Sequence, residues 1–304
     1  MKKITSHDFT KMVGCNLHEK TAKFINNSDL FYSELTGKEK EKVIVDCITK
    51  LFEDRQKIAA PERTKVWHDG WQENCDLLKA STDIEKSLLP KFVREIDIVR
   101  INGKFCRSES KYFEKLFVDC LLNFLFYNFC TDYDEVHEFG TGSAYNIFKF
   151  SQEDPDKKYF GYDFVQSSVD CVNILNQKTN SYFKGELYNF LEPGELNFGN
   201  NAVAFTFGAL EQTKGGFKEY IDLLANSSVK EVFHIEPTVE NYTEDTVEDT
   251  LAKCFHLKRG YSTGLKDYLS NHKDINFNYC KRIGFGNKMF EGYHLYSWSP
   301  KNES

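Results

Sequence analysis

Hydrophobic positions divide this chain into two regions with different periodicities. Over roughly the first hundred residues, apolar side chains recur at helical spacing, as in the segments Phe24–Leu35 and Lys38–Arg55. Pro90 breaks a later polar helical stretch, and no alternation typical of strands precedes it. We therefore predict an α-helical N-terminal cap over residues 1–110, in which the segment Arg100–Phe105 forms a turn or a short extended connector.

The remaining residues, 111–304, predict a second domain in which strands and helices alternate. Tyr112–Phe129 is apolar enough for a buried helix, and it leads into the first strand. The predicted strands are Val136–Phe139, Tyr159–Asp163, Tyr182–Leu187, Ala202–Phe207, Val229–Ile235, Asn276–Ile283 and Tyr293–Trp298, the last two as an antiparallel pair. Alternating units of this kind predict an α/β fold with a doubly wound, mostly parallel, seven-stranded Rossmann-like sheet.

A glycine turn follows the first predicted strand of this domain. Gly140 and Gly142 lie between that strand and a helix, where residues without a Cβ let backbone amides approach a ligand. The dinucleotide fingerprint would need a third glycine at position 145, which is Tyr145, so that interpretation fails. Asp163 ends the next strand about twenty residues further on, where a carboxylate suits a ribose diol.

The turn has the pattern of an acid, one further residue and then a G-x-G-x-(Gly/Ala) run. The matching residues are Glu138, Gly140, Gly142 and Ala144. In this pattern the chain resembles the class I S-adenosylmethionine-dependent methyltransferases over roughly its C-terminal two thirds. The resemblance implies S-adenosylmethionine as cofactor and transfer of its methyl group to an oxygen or nitrogen of an acceptor. It also implies an antiparallel pair at the end of the sheet.

The resemblance further implies which residues bind the cofactor. The glycine turn would face its methionine part and Glu138 its amino group, whereas Asp163 would bind the ribose. Phe164 would pack on the adenine, and Glu186 stands where the family usually has an aspartate for the adenine amino group. The full predicted set is Glu138, Gly140, Thr141, Gly142, Ser143, Asp163, Phe164, Glu186, Leu187 and Phe207.

Three residues are candidates for acid–base catalysis. Glu211 follows the fourth strand, in the loop that the family brings toward the transferred methyl group, although an acid at a helix start would look the same. Glu236 follows the fifth strand and is a pocket-mouth residue or a surface one. His256 lies three residues before Arg259, so the two could recognise an anionic acceptor or simply belong to an amphipathic surface helix.

Composition restricts the partners and the compartment. The 304 residues carry a formal net charge of −7, and nucleic-acid binders usually carry a basic face, so we expect no nucleic-acid partner. Nine cysteines occur without any C-x-x-C pair, which favours reduced thiols and no metal site. No run approaches the ~20 apolar residues of a membrane span, and the N-terminus lacks an apolar signal segment. We expect a soluble, cytoplasmic protein.

The function predicted from the sequence is methylation of a small-molecule acceptor. Two alternatives remain open at this point. One is a non-catalytic module that keeps the methyltransferase fold to bind cofactor or to serve as a scaffold. The other is a methyltransferase that acts on protein or RNA, which a basic groove leading to the pocket would support.

Overall fold

The computed structural model describes residues 1–58, 62–91, 93, 95–243 and 245–301. The N-terminal cap contains both helices and short strands. Its helices are α1 (Ser6–Val13), α2 (Glu19–Asn27), α3 (Gly37–Glu53), α4 (Glu62–Ala80) and α5 (Ile84–Leu88). Its strands are β1 (Lys2–Lys3), β2 (Phe31–Glu34), β3 (Ile98–Ile101) and β4 (Lys104–Ser108).

The rest of the chain alternates between strands and helices, as the sequence predicts. The helices are α6 (Phe113–Leu125), which continues as a π-helix over Phe126–Cys130, then α7 (Tyr145–Glu153), α8 (Gln166–Lys178), α9 (Lys218–Ala225), α10 (Val247–Arg259) and α11 (Leu265–Asn271). The strands are β5 (Glu135–Phe139), β6 (Lys158–Asp163), β7 (Tyr182–Leu187), β8 (Ala202–Phe207), β9 (Glu231–Ile235), β10 (Ile275–Arg282), β11 (Phe285–Asn287) and β12 (His294–Pro300).

Seven of these strands form one sheet in the order β10-β12-β9-β8-β5-β6-β7. The strands from β5 to β9 pair in parallel, and β12 runs antiparallel to both of its neighbours. Strand β8 is an almost wholly buried apolar run, as expected for a strand covered on both faces. The predicted doubly wound, mostly parallel, seven-stranded sheet with its antiparallel last pair is confirmed.

The order of the strands fixes where a ligand can bind. The chain adds β6 and β7 on one side of β5 and then crosses to place β8 on the other side. Such a reversal opens a crevice at the carboxyl ends of the two strands that flank it. The glycine turn after β5 and the loop after β8 both lie at this crevice.

The cap also contributes to a second, antiparallel sheet with the order β1-β2-β4-β3-β11. Asn102 and Gly103 join β3 to β4 with φ angles of 49° and 77°, the two positive values that a tight hairpin turn needs. The expectation of a cap without strands is therefore wrong. The predicted helix over Phe24–Leu35 ends at Asn27, because Phe31–Glu34 pairs with the distant strand β4 instead.

The C-terminal part of the chain returns to this cap sheet through β11. The ring of Phe117 on α6 stacks on that of Phe285 at a centroid distance of 3.8 Å. The cap and the large sheet thus share one hydrophobic core. Because β11 belongs to the sheet of the cap, the chain crosses the predicted boundary between residues 1–110 and 111–304, and that division stays a prediction. Residues 302–304 lie outside the described part of the chain.

Candidate functional site

The glycine turn at the end of β5 has an unusual backbone. Gly140, Gly142 and Ala144 all have positive φ angles, of 76°, 57° and 67°. The N–H groups of Gly140 and Thr141 donate to the carbonyl oxygen of Tyr162 on β6, at 2.7 and 3.0 Å. A Cβ on Gly140 would collide with Ala209, which follows β8. Glycine is thus required there both by the backbone conformation and by the close approach of the neighbouring loop.

Glu138 lies beneath this turn and holds it in place. Its buried carboxyl accepts hydrogen bonds from Oγ1 of Thr141 at 2.9 Å and from Nδ2 of Asn146 at 2.6 Å. Burial raises the pKa of Glu138 to about 8, although both hydrogen bonds oppose the shift. The carboxyl therefore connects the turn to the first turn of α7.

Asp163 lies beside the glycine turn, as its position at the end of β6 predicts. Its Oδ2 accepts from the N–H of Gly142 at 2.9 Å, and its Oδ1 accepts from the N–H of Val165 at 3.2 Å. Burial raises the pKa of Asp163 to about 6, and these backbone hydrogen bonds limit the rise. Two elements twenty residues apart in sequence are thereby joined directly at the crevice.

The cap covers the turn from the other side. Oγ of Ser143 donates to the carbonyl oxygen of Leu88, at the end of α5, at 2.6 Å. The indole of Trp71 on α4 lies against Gly142, so that a Cβ placed there would be 2.9 Å from Cζ2 of the ring. Trp71 follows Trp67 by four residues, a spacing that predicts one shared helical face for core packing or for lining a pocket.

Three other predicted cofactor residues lie at the solvent-facing rim of the crevice. The side chains of Phe164 and Leu187 are 44% and 58% exposed. Glu186 forms an ion pair with Lys184 on the same strand at 2.5 Å. A ligand bound at the glycine turn would have to extend outward to reach these residues, and their assigned roles stay predictions.

Phe207 ends β8 and Glu211 lies in the turn that follows, at the carboxyl edge of the sheet. The ring of Phe207 is half-buried, 5.7 Å from that of Tyr293. The carboxyl of Glu211 accepts from Nε2 of Gln212 at 2.6 Å. Burial raises the pKa of Glu211 well above its usual range, and the charge of Glu236 adds to the rise. Glu211 therefore retains its proton more strongly than an ordinary carboxyl.

Glu236 anchors this loop from beneath. Its Oε1 accepts from Oγ1 of Thr206 at 2.7 Å and from the N–H groups of Ala209 and Leu210 at 3.0 and 3.1 Å. Its Oε2 accepts from the N–H of Glu211 at 3.1 Å. The side chain is 1% exposed, so Glu236 holds the backbone that carries Glu211.

His256 is buried inside the protein on α10, although the sequence allowed a surface helix. The rings of Tyr261, Tyr242 and Phe290 surround it at centroid distances of 5.1, 5.6 and 4.9 Å. Burial lowers the pKa of His256 to about 3, with a contribution from the charge of Arg100. Neither ring nitrogen has a hydrogen-bond partner within the described part of the chain. His256 is therefore a neutral imidazole with an unused donor and acceptor.

Arg259 does not share the surroundings of His256. Its guanidinium donates from Nε and Nη2 to Oδ2 of Asp54 in the cap, at 2.9 and 2.7 Å. Tyr261 lies near both groups, because its ring adjoins His256 and its hydroxyl lies 3.4 Å from Nη1 of Arg259. Burial raises the pKa of Tyr261, and the charge of Glu211 raises it further. Tyr261 thus contacts His256 and is influenced by Glu211, two of the three predicted bases, and no sequence pattern singles it out.

The described residues offer no group of three or more His, Cys, Asp or Glu side chains able to hold a metal ion. All nine cysteines have free thiols. No helix in the described ranges is long and apolar enough to cross a membrane. The crevice is therefore a site built from backbone amides, carboxyls and aromatic rings.

Comparison with solved structures finds similar folds. Magnesium protoporphyrin IX methyltransferase from Synechocystis PCC 6803, solved with bound SAH, has 12% identity and a TM-score of 0.46, over 60% of this chain and 82% of that chain. Plantazolicin methyltransferase, also solved with SAH, has 11% identity and a TM-score of 0.42, over 87% and 98%. A 16S rRNA methylase has 12% identity and a TM-score of 0.45, over 87% and 94%.

No protein-family model matches the sequence, and no curated protein matches it. At 11–12% identity, the likeness to solved structures concerns the fold alone. The order of the strands in the large sheet, with β12 antiparallel to its neighbours, agrees with the architecture that the sequence pattern implies.

Proposed function

We propose that this chain is an S-adenosylmethionine-dependent methyltransferase that acts on a small-molecule acceptor. One observation carries the proposal. The carboxylate of Asp163 accepts the N–H of Gly142 at the switch point of a doubly wound sheet. A glycine turn and a buried acid at that position form a site for a ligand with both an anionic group and a diol.

The residues present fit this cofactor. The turn residues Gly140, Thr141, Gly142 and Ser143 would hold its amino-acid part, and Asp163 would accept from its ribose hydroxyls. A flat aromatic ring, that of Trp71, already lies against Gly142, so the surface of the turn accommodates a large group in close contact. When bound, the cofactor would supply an electrophilic methyl group on a sulfonium.

The protein's own contribution to the chemistry would be orientation, exclusion of water and removal of one proton. The cap places α4 and the end of α5 over the crevice, which would shield it from solvent. Glu211 is the best placed base, because Glu236 fixes its backbone and its raised pKa makes the ionised carboxylate a stronger proton acceptor. For a hydroxyl acceptor, a proton would pass to the Glu211 carboxylate as the oxygen becomes nucleophilic.

A small molecule is the acceptor that the described features favour. The ring of Phe207 contacts that of Tyr293, and the charge of Glu211 acts on both Tyr261 and Tyr293. These aromatic rings suit an organic acceptor. The net charge of −7 does not favour a polyanion. A protein or RNA acceptor is the alternative outcome of the test below.

The test uses S-adenosylmethionine labelled with tritium in the methyl group. The chain is incubated with it in an extract that is then separated into small molecules, protein and nucleic acid. We expect label in the small-molecule fraction with wild type and much less with Glu211→Gln. Label in protein or nucleic acid would contradict the acceptor class. Binding of cofactor without any transfer would instead support a non-catalytic module.

A further inference from the structure

Helix α4 lies directly across the proposed cofactor site. A Cβ built on Gly142 would be 2.9 Å from Cζ2 of Trp71 and 3.2 Å from its Cε2 and Cη2. The indole is therefore in van der Waals contact with the surface of the glycine turn. A ligand cannot contact this surface while the indole stays in its present position. Both would occupy the same space, about 3.5 Å above the backbone of the turn.

Trp71 is one of three side chains that line a single face of α4. The rings of Trp67 and Trp71 stack at a centroid distance of 5.8 Å and an interplanar angle of 15°. The guanidinium carbon of Arg63 lies 4.8 Å from the ring centroid of Trp67. The charge of Arg63 also acts on Glu211. The row therefore runs from the glycine turn toward the N-terminal end of α4.

Helix α4 is attached to the rest of the protein along α8 and α5, in part through polar contacts. Of its described side chains, only Asn74, Cys75 and Leu78 are buried. Several hydrogen bonds join side chains of α8 to backbone carbonyl oxygens of α4. Oγ of Ser167 donates to the carbonyl oxygen of His68 at 2.9 Å, and Nζ of Lys178 donates to that of Lys79 at 3.3 Å. Bonds of this kind can be replaced by bonds to water when α4 moves away from α8.

A pair of thiols lies in this attachment. Cys75 on α4 and Cys171 on α8 are both fully buried, and they are close enough for each thiol to influence the pKa of the other. Cys171 also donates to the carbonyl oxygen of Trp71 at 3.7 Å. The pair therefore joins α4 to α8 one helical turn away from the indole that lies on Gly142.

We propose that α4 is a movable lid on the cofactor site, with Trp71 as the plug that must leave Gly142 before cofactor can bind. This inference rests on the proposed function. Opening would separate Cys75 from Cys171 and expose both thiols. A covalent bond between them would hold the lid shut.

The first experiment forms that bond with diamide, an azo oxidant of thiols. The two S–H bonds break and one S–S bond forms, while diamide takes up the two protons and two electrons as its hydrazine. Binding of S-adenosylhomocysteine is then measured by calorimetry on reduced, oxidised and re-reduced protein. We expect oxidation to lower the affinity at least tenfold and dithiothreitol to restore it. The variant Cys75→Ser, treated identically, should keep its affinity.

The second experiment removes the plug. Trp71→Ala should bind S-adenosylhomocysteine at least fivefold more tightly than wild type, because no indole has to be displaced. Leu77→Ala is the matched control, because Leu77 lies on the same helix but is 53% exposed. Its affinity should equal that of wild type.

The outcomes separate the lid from the proposed function. If reduced wild type does not bind S-adenosylhomocysteine, the proposed function fails, and the lid with it. If wild type binds but a Cys75–Cys171 disulfide, verified by mass spectrometry, leaves the affinity unchanged, the lid is wrong and the function stands. Weaker binding by Trp71→Ala would also overturn the plug, because the indole would then contribute to binding.

Discussion

Replacing Glu138 with glutamine should remove a penalty on folding that increases with pH. The Glu138 carboxyl is fully buried beneath the glycine turn, and burial raises its pKa from 4.5 to about 8. A glutamine keeps one oxygen for Nδ2 of Asn146 and offers an N–H to Oγ1 of Thr141. The variant therefore preserves the two hydrogen bonds and removes only the ionisation.

The sign and size follow from proton linkage. A carboxyl whose pKa is higher in the folded state binds its proton more tightly there, so its stabilising contribution is complete below pH 4.5 and is lost as pH rises through about 8. Each pH unit over which the folded protein holds one extra proton costs about 1.4 kcal/mol. Between pH 6 and pH 8 the Glu138 contribution should fall by about 2 kcal/mol.

The assay is urea unfolding followed by circular dichroism at several pH values between 6 and 8. The free energy of unfolding of Glu138→Gln minus that of wild type should increase by about 2 kcal/mol across this interval. Glu192→Gln removes an exposed carboxylate and serves as the control, with a difference from wild type that stays flat. Parallel curves for Glu138→Gln and wild type would refute the burial of an ionisable group beneath the turn.

Three further predictions concern the crevice. Gly142→Ala should lower the free energy of unfolding by about 1–2 kcal/mol and weaken binding of S-adenosylhomocysteine, because residue 142 has a φ of 57° and its Cβ would press on Trp71; unchanged stability in urea unfolding would contradict the turn geometry. Asp163→Ala should weaken calorimetric binding of the same ligand by about 1–3 kcal/mol, the usual contribution of hydrogen bonds to a charged group, and an unchanged affinity would place the ribose elsewhere. Glu211→Gln should lower single-turnover methyl transfer by about 10²–10⁴-fold without changing cofactor affinity. Wild-type turnover should rise with pH, because the raised pKa delays ionisation of Glu211; full activity of the variant would leave orientation alone as the mechanism.

Local patterns determined most of the large sheet. Strands β7 and β8 have the bounds that the sequence predicts, because each is a short run with strong turn signals on both sides. The glycine turn and Asp163 were also predictable, since the carboxyl ends of adjacent parallel strands meet at one edge. Their direct hydrogen bond follows from that placement.

The cap was harder to predict, because its strands depend on distant partners. Phe31–Glu34 pairs with Lys104–Ser108, about seventy residues away, and its own sequence continues a helical pattern. The Asn102-Gly103 pair between two apolar runs is a hairpin signal, and it is more specific than the turn or short extended connector predicted for Arg100–Phe105.

Two site features could not be found from local patterns. The burial of His256 depends on the rings of Tyr242 and Tyr261, which flank α10, and on that of Phe290, which is distant in sequence. The contact of Trp71 with Gly142 depends on how the cap packs over the sheet. The spacing of Trp67 and Trp71 indicated a shared helical face, but it carried no information about what that face covers.

The central claim is that S-adenosylmethionine binds between the glycine turn and Asp163. A crystal structure of the chain grown with S-adenosylhomocysteine tests it most directly. The account predicts the ligand at the carboxyl ends of β5 and β6, with its ribose hydroxyls within hydrogen-bond distance of the Asp163 carboxylate and its amino-acid part at Gly140 and Gly142. Ligand density at any other place on the protein, with Trp71 still against Gly142, would contradict the claim.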